Sequence, residues 1–183
     1  MSAIAKKICL VGDFGVGKTS LIRRFVDRSF SDKYLSTVGV KISRKLVDLP
    51  SKGRESDSSI QLVIWDLEGD TKFKAIAATH LQGAAGTIIV SDVTRYETVE
   101  NARGHIELCT KINPKAWIIV ALNKTDLVEA EQMTKFAKLC NFLEYPLAIG
   151  TYQTSAKTGE SVDLIFQQLA TKMIVPTVPS PEQ

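Results

Sequence analysis

The sequence predicts an α/β protein built on an open, mostly parallel sheet. Three observations carry this expectation. Short continuous apolar runs recur at residues 8–11, 62–65, 87–90, 117–122 and 147–152, the pattern of strands buried on both faces. Segments 98–112 and 162–173 repeat their apolar residues at helical spacing, and strands alternating with helices imply right-handed crossovers between parallel neighbours. A glycine-rich turn, GDFGVGKTS at residues 12–20, joins the first run to a helical stretch.

Taken in order, Ile8, Cys9, Leu10 and Val11 form the first strand, which breaks at Gly12. Leu21, Ile22, Phe25 and Val26 then fall at helical spacing, so a helix starts near Lys18. Residues 40–49 reach the next apolar run through PSKGRESDSS, a polar turn suited to an antiparallel hairpin, so one strand runs against the rest. The strands at 87–90, 117–122 and 147–152 complete the sheet. The end of the chain, VPTVPSPEQ, has three prolines and no apolar period, which predicts a globular domain over residues 1–174 and a flexible tail over 175–183.

The 183 residues suit a single core, and 44% hydrophobic with 23% charged residues is an ordinary globular composition. A net charge of +3 is too small to argue for nucleic acid, and none is expected as a partner. Cys9, Cys109 and Cys140 stand apart among apolar neighbours, so buried thiols in a reducing compartment are expected rather than a disulfide framework. There is no signal peptide and no membrane-spanning run, which points to the cytoplasm.

Gly12, Gly17, Lys18 and Thr19 satisfy the spacing G-x-x-x-x-G-K-[ST] between a strand and a helix, the context in which that spacing cradles phosphates. Glycines let the backbone curl so that several N–H groups point inward, and the helix N-terminus adds its positive end. Lys18 supplies a point charge to the terminal phosphates, and the Thr19 hydroxyl can ligate Mg²⁺. The phosphate-binding candidates are Gly15, Val16, Gly17, Lys18, Thr19 and Ser20.

Two later segments address the base. NKTD, residues 123–126, and TSAKTG, residues 154–159, each follow a strand, at the carboxyl ends where ligands of open α/β sheets bind. The Asp126 carboxylate can accept from two adjacent donors, which guanine N1–H and N2–H₂ offer and adenine does not. The Ala156 N–H could donate to guanine O6. Read alone, NKTD also serves as a helix cap through Thr125 or Asp126.

With these motifs in this order, the chain resembles a small GTPase of the Ras superfamily, closest to the Rab branch. The matching segments are GDFGVGKTSLIRRFVDRSF, YLSTVGV, IWDLEG, GAAGTIIVSDVT, NKTDL and TSAKTGESV. The resemblance implies a three-layer P-loop fold with a six-stranded sheet, one strand antiparallel, and five helices. It implies GTP or GDP with Mg²⁺, the metal held by Thr19, Thr37 and, through water, Asp66. It also implies that the Gly69 N–H meets the γ-phosphate. Tyr34 joins the nucleotide site, Phe30 and Lys124 lie against the guanine ring, and Asn123 braces the phosphate loop. Asp126 reads the base, and Ser155, Ala156 and Lys157 close its pocket. Without the family pattern, Phe30 reads as core, Thr37 as a surface hydroxyl and Asp66 as a strand-end cap. Effector, GTPase-activating and nucleotide-exchange proteins are expected on segments 34–40 and 66–81, bounded by Tyr34 and Val40 and by Asp66 and Leu81.

The chain departs from the family in its second switch, where Asp-Thr-Ala-Gly-Gln becomes Asp66, Leu67, Glu68, Gly69 and Asp70. The family's glutamine orients the attacking water; an ionised Asp70 only accepts hydrogen bonds and brings negative charge toward an anionic phosphate. Glu68 would add a second carboxylate. The candidates for catalysis are Lys18, Asp70 and Glu68, and slow hydrolysis follows from losing such stabilisation, which costs about 10²–10³ in rate. Alternatives are that Asp70 acts as a base, that a partner completes the site, or that the acids merely cap the following helix. Phe14, where relatives carry glycine or serine, either shields the phosphate from a partner's arginine or folds onto an apolar neighbour.

No cysteine follows Cys140, so no prenyl anchor is expected in this chain and membrane recruitment would need a partner. A monomer is the default expectation. Two rival functions share the phosphate loop: a nucleotide-bound interaction module with negligible hydrolysis, and a P-loop phosphotransferase, which would leave NKTD and SAK without a task.

Overall fold

A computed structural model describes residues 4–33, 36–49, 58–69, 75–142 and 144–174. Its sheet has six strands: β1 (Ile4–Val11), β2 (Val40–Leu49), β3 (Ser58–Leu67), β4 (Gly86–Asp92), β5 (Trp117–Asn123) and β6 (Ala148–Gln153), in the order β2-β3-β1-β4-β5-β6. All pairings are parallel except β2 with β3, which run antiparallel from Val40↔Leu67 to Leu49↔Ser58. The polar turn expected to join them and the proline-rich tail lie outside the described residues.

The helices are α1 (Lys18–Asp27), α2 (Ala75–Leu81), α3 (Tyr96–Glu100), α4 (Ala102–Ile112), α5 (Ala130–Leu139) and α6 (Val162–Ile174). Asn101 between α3 and α4 keeps a right-handed helical conformation, φ −65° and ψ −16°, so the two form one helix with a break, which gives five helices among the described residues. The helix expected over 98–112 therefore starts earlier, at Tyr96, its first turn tightened by the Thr98 N–H bond to the Arg95 carbonyl, and is interrupted at Asn101.

The apolar runs are continuous because both sheet faces are covered. Successive strand residues point to opposite faces: Ile8 and Leu10 join the core under α1 and α6, whereas Cys9 and Val11 join the core under α4 and α5. Ile88 and Val90 divide from Ile89 in the same way. On the first side Phe25 of α1 and Phe166 of α6 stack with ring centroids 4.0 Å apart. The three cysteines are free and buried, as their neighbours predicted, and burial pushes the Cys9 and Cys109 thiols up to about 12, which keeps them protonated and unreactive.

Because β1, β3, β4, β5 and β6 are parallel, their carboxyl ends share one edge of the sheet. The phosphate loop follows β1, Glu68 and Gly69 follow β3, Asp92 ends β4, Asn123 ends β5, and Thr154 follows β6. β2 runs the other way, so Thr37 just before it reaches the same edge. β1 lies between β3 and β4, the point at which successive crossovers change direction and a crevice opens.

Candidate functional site

Along that edge runs a pocket of about 300 Å³, lined at one end by Phe14, Gly15, Gly17, Lys18, Thr37 and Gly69 and at the other by Asn123, Lys124, Asp126, Ala156 and Lys157. Thr19, Ser20 and Phe30 also line it. Phe30 in addition packs on the core beneath α1, so its two sequence readings are compatible. Tyr34 and Asp70 lie outside the described residues.

The phosphate loop is shaped by Lys18, whose Nζ donates to the carbonyls of Gly12 and Asp13 at 2.8 Å each. Its side chain is buried at 6% exposure, and burial pushes its pKa down to about 8 against the pull of Asp66 and Asp13. Asn123 braces the loop from β5, its Nδ2 donating to the Val16 carbonyl at 2.9 Å. Val16 itself is fully buried and points away from the pocket lining.

Gly17 sits at φ +102°, and a Cβ there would strike the Asn123 amide nitrogen. Gly17→Ala therefore combines left-handed strain with loss of the Asn123 brace, and should destabilise the protein by about 2 kcal/mol. Urea unfolding should show a lower midpoint at an unchanged slope. Gly69 is packed as closely: a Cβ would lie 2.6 Å from Phe14 Cα, 2.7 Å from the Asp13 carbonyl oxygen and 2.8 Å from Lys18 Nζ. Only a glycine lets the end of β3 approach the phosphate loop this far.

Thr19, Thr37 and Asp66 come together at the same end. The Thr19 hydroxyl donates to Asp66 Oδ2 at 2.6 Å and lies 2.7 Å from the Thr37 hydroxyl, which is 3.4 Å from that oxygen. Asp66 Oδ1 is buried with no hydrogen-bond partner among the described residues. Burial raises the Asp66 pKa, offset only in part by Thr19 and Lys18. Two hydroxyls beside a buried carboxylate with one unpartnered oxygen, three hard oxygen ligands in all, fit a small divalent cation such as Mg²⁺. The bland readings of Thr37 as a surface hydroxyl and Asp66 as a strand cap do not account for this cluster.

Glu68 departs from expectation. Its Oε2 accepts from the Gly39 N–H at 3.0 Å while its own N–H donates to the Gly39 carbonyl at 2.9 Å, and it is absent from the pocket lining. The extended end of β3 turns its side chain toward the start of β2 and ties the two strands, so the second carboxylate expected at the phosphate is not placed there.

At the other end Ser155 Oγ donates to Asp126 Oδ1 at 2.6 Å and accepts from the Thr158 N–H at 3.1 Å. Ser155 is fully buried; it orients Asp126 rather than closing the pocket itself. The Ala156 N–H, expected to donate to the base, is directed to Asn123 Oδ1 at 3.2 Å, a long bond that a better acceptor could draw away. Lys124, in left-handed backbone conformation at φ 69°, donates to the Gly15 carbonyl at 3.0 Å and to Asp92 Oδ2 at 2.5 Å.

Several supporting residues escape a motif reading. Arg24 on α1 donates through Nε to the Ala156 carbonyl at 2.7 Å and through a terminal nitrogen to that of Lys157. Asp13 accepts from Asn101 at 2.7 Å and pairs with His105 Nε2 at 2.9 Å. Burial works to raise Asp13, but the bonds from His105 and Asn101 prevail and hold it below the usual carboxylate range. Asp92, buried at the end of β4, also titrates low: the Lys124 and Thr94 bonds outweigh its burial. Its position at the carboxyl end of a parallel strand was a usable sequence signal; Asn101 and His105, inside a helix, offered none.

The sequence profile of the Ras family matches residues 7–175. The chain is 34% identical over 172 residues to Ras-related protein Rab-1A of Dictyostelium discoideum, covering 91% of this chain and 79% of that protein. It is 35% identical over 176 residues to Ras-related protein Rab-13 of Canis lupus familiaris, covering 92% and 80%. It is 34% identical over 165 residues to Ras-related protein SEC4 of Candida albicans, covering 90% and 75%. Proteins of this kind act through effectors, activators of hydrolysis and exchange proteins. Matched by the Ras family over nearly its whole length and similar to Rab proteins over most of theirs, the chain belongs to the Ras family: it is a Rab-like small GTPase, a switch protein that takes GTP or GDP with Mg²⁺ and hydrolyses GTP.

Proposed function

We propose that the pocket holds the nucleotide with its phosphates on the loop at residues 15–20 and its guanine between Phe30 and Lys124, read by Asp126. The supporting observation is that phosphate donors, metal-type oxygens and the oriented Asp126 carboxylate line a single pocket of about 300 Å³, near the lower end of the range for small-molecule sites. Lys18 carries charge to the terminal phosphates. Thr19, Thr37 and Asp66 would hold Mg²⁺, which when bound supplies further positive charge there. Ser155 and Asn123 act by positioning, and Ala156 and Lys157 close the base end.

The segments at 34–40 and 66–81 form the partner-binding surface in this reading. Val38 is 85% exposed two residues before β2, an apolar side chain left to solvent next to Thr37. The protein is proposed to work as a cytoplasmic monomer, with residues 1–174 as its GTPase domain and no nucleic-acid partner.

Asp70 is proposed as a brake on intrinsic hydrolysis. The reason is chemical: a carboxylate cannot donate to the developing phosphate charge as a glutamine amide does. Single-turnover conversion of bound GTP to GDP should therefore speed up by about 10–10² in Asp70→Gln. If the substitution instead slows turnover, Asp70 has a chemistry of its own and the brake is wrong.

A further inference from the structure

Three successive residues of the phosphate loop are held by side chains of other elements, Asn101, His105 and Arg95 from behind the pocket lining and Lys124 from within it. The Asp13 carboxylate is bonded by Asn101 and His105, the Phe14 carbonyl accepts from an Arg95 terminal nitrogen at 2.7 Å, and the Gly15 carbonyl accepts from Lys124 at 3.0 Å. Arg95 and Lys124 share one acceptor, Asp92 Oδ2, at 3.2 and 2.5 Å. The other Asp92 oxygen takes the Thr94 N–H and hydroxyl at 2.9 and 2.6 Å. The Asp92 side chain is 2% exposed, so both cations meet it in a setting that water screens little.

Peptide geometry turns these outer bonds into an inner arrangement. In a trans peptide the C=O and the following N–H point in opposite directions. A Phe14 carbonyl drawn outward by Arg95 directs the Gly15 N–H inward, and a Gly15 carbonyl held by Lys124 fixes the direction of the Val16 N–H. Those amides are the ones a bound phosphate would use. Freezing them beforehand removes an ordering cost that binding would otherwise carry.

We infer that Arg95 is a positioning residue for nucleotide retention: it clamps the Phe14 peptide from outside and, through Asp92, joins that hold to the one Lys124 has on Gly15. The inference rests on the nucleotide reading of the pocket and adds a residue that no motif contains. Arg95 bonds the loop backbone and touches no base, so its action is on how long a nucleotide stays, not on which base is chosen.

The test is dissociation of a fluorescent mant-labelled GDP, chased with excess GDP in Mg²⁺, from the full chain. Arg95→Ala should release it about tenfold faster, the loss of one charge-assisted bond. Arg95→Lys should lie between, because a single amine at that position cannot hold the carbonyl and Asp92 with the spread of a guanidinium. Adding Asp92→Asn to Arg95→Ala should raise the rate by less than the product of the two single effects, since the residues share one clamp. Arg103→Ala, which removes a charge paired with Glu144 away from the loop, should release at the wild-type rate. The Arg95 side chain is 37% exposed, so its substitutions remove no core packing, and Asp92→Asn keeps the shape of the buried side chain it replaces.

Wild-type release from Arg95→Ala, or fully multiplicative effects with Asp92→Asn, would overturn the inference while leaving the guanine reading intact. Retention of mant-ADP with no retention of mant-GDP by the wild type would overturn the guanine reading instead, and Arg95 could still be scored on the adenine nucleotide.

Discussion

Asp126→Asn lowers the affinity for GDP and GTP by about 10²–10³ and raises that for xanthine nucleotides, the loss expected where a site built to pair with a donor is left mismatched. Guanine presents N1–H and N2–H₂ side by side. A carboxylate can accept both; an asparagine must turn one N–H toward a donor. Xanthine carries an oxygen at C2, which the asparagine N–H can meet. Ser155 Oγ already donates to Asp126 Oδ1 at 2.6 Å, so the side chain is held in one orientation and cannot rotate away from the mismatch without losing that bond. Competition of GDP and XDP against fluorescent GDP measures both arms. A variant that keeps full guanine preference would remove Asp126 from base recognition and reinstate its reading as a helix cap.

Lys18→Met is expected to weaken nucleotide binding by about 10² or more, because two charge-assisted contacts to phosphate are lost at once. The same residue predicts a pH dependence whose sign is definite. Burial holds the Lys18 pKa at about 8 in the unliganded protein, and an anionic phosphate beside it must raise that value. Binding therefore takes up protons above pH 8, and affinity falls as pH rises. Between pH 7 and pH 9 the wild type should lose about tenfold in affinity, the fraction of Lys18 left charged at one pH unit above its pKa. Lys18→Met should bind weakly with a flat profile over that interval. A wild type as flat as the variant would show that Lys18 stays charged before the phosphate arrives.

The sheet was legible because its strands are covered on both faces and therefore read as unbroken apolar runs; Ile8 through Val11 and residues 117–122 needed no other signal. The phosphate loop was legible because its glycines are demanded by backbone shape, as Gly17 at φ +102° shows. The placing of NKTD and TSAKTG at the carboxyl ends of β5 and β6 was legible through local spacing. Side-chain direction was not. Glu68 stands one residue from Gly69, yet its carboxylate goes to Gly39, because β2 and β3 pair up to that point and leave an amide for it to take. Ser155 reads as a pocket residue, but its burial makes it a support for Asp126.

The sequence by itself determined the layered α/β sheet, the glycine-rich loop after β1 and the placing of NKTD and TSAKTG after β5 and β6, since each depends on periodicity or on residues close in the chain. Tertiary structure alone decided what stands behind the site. Arg95, Asn101 and His105 reach Asp13 and Phe14 only because β4 pairs beside β1 and its carboxyl end delivers the next helix to the outside of the loop. Those contacts span roughly 80 to 90 positions in the chain. Hydrogen bonds at such separations leave no period in the sequence, for their partners are chosen by the packing of strands and not by local spacing.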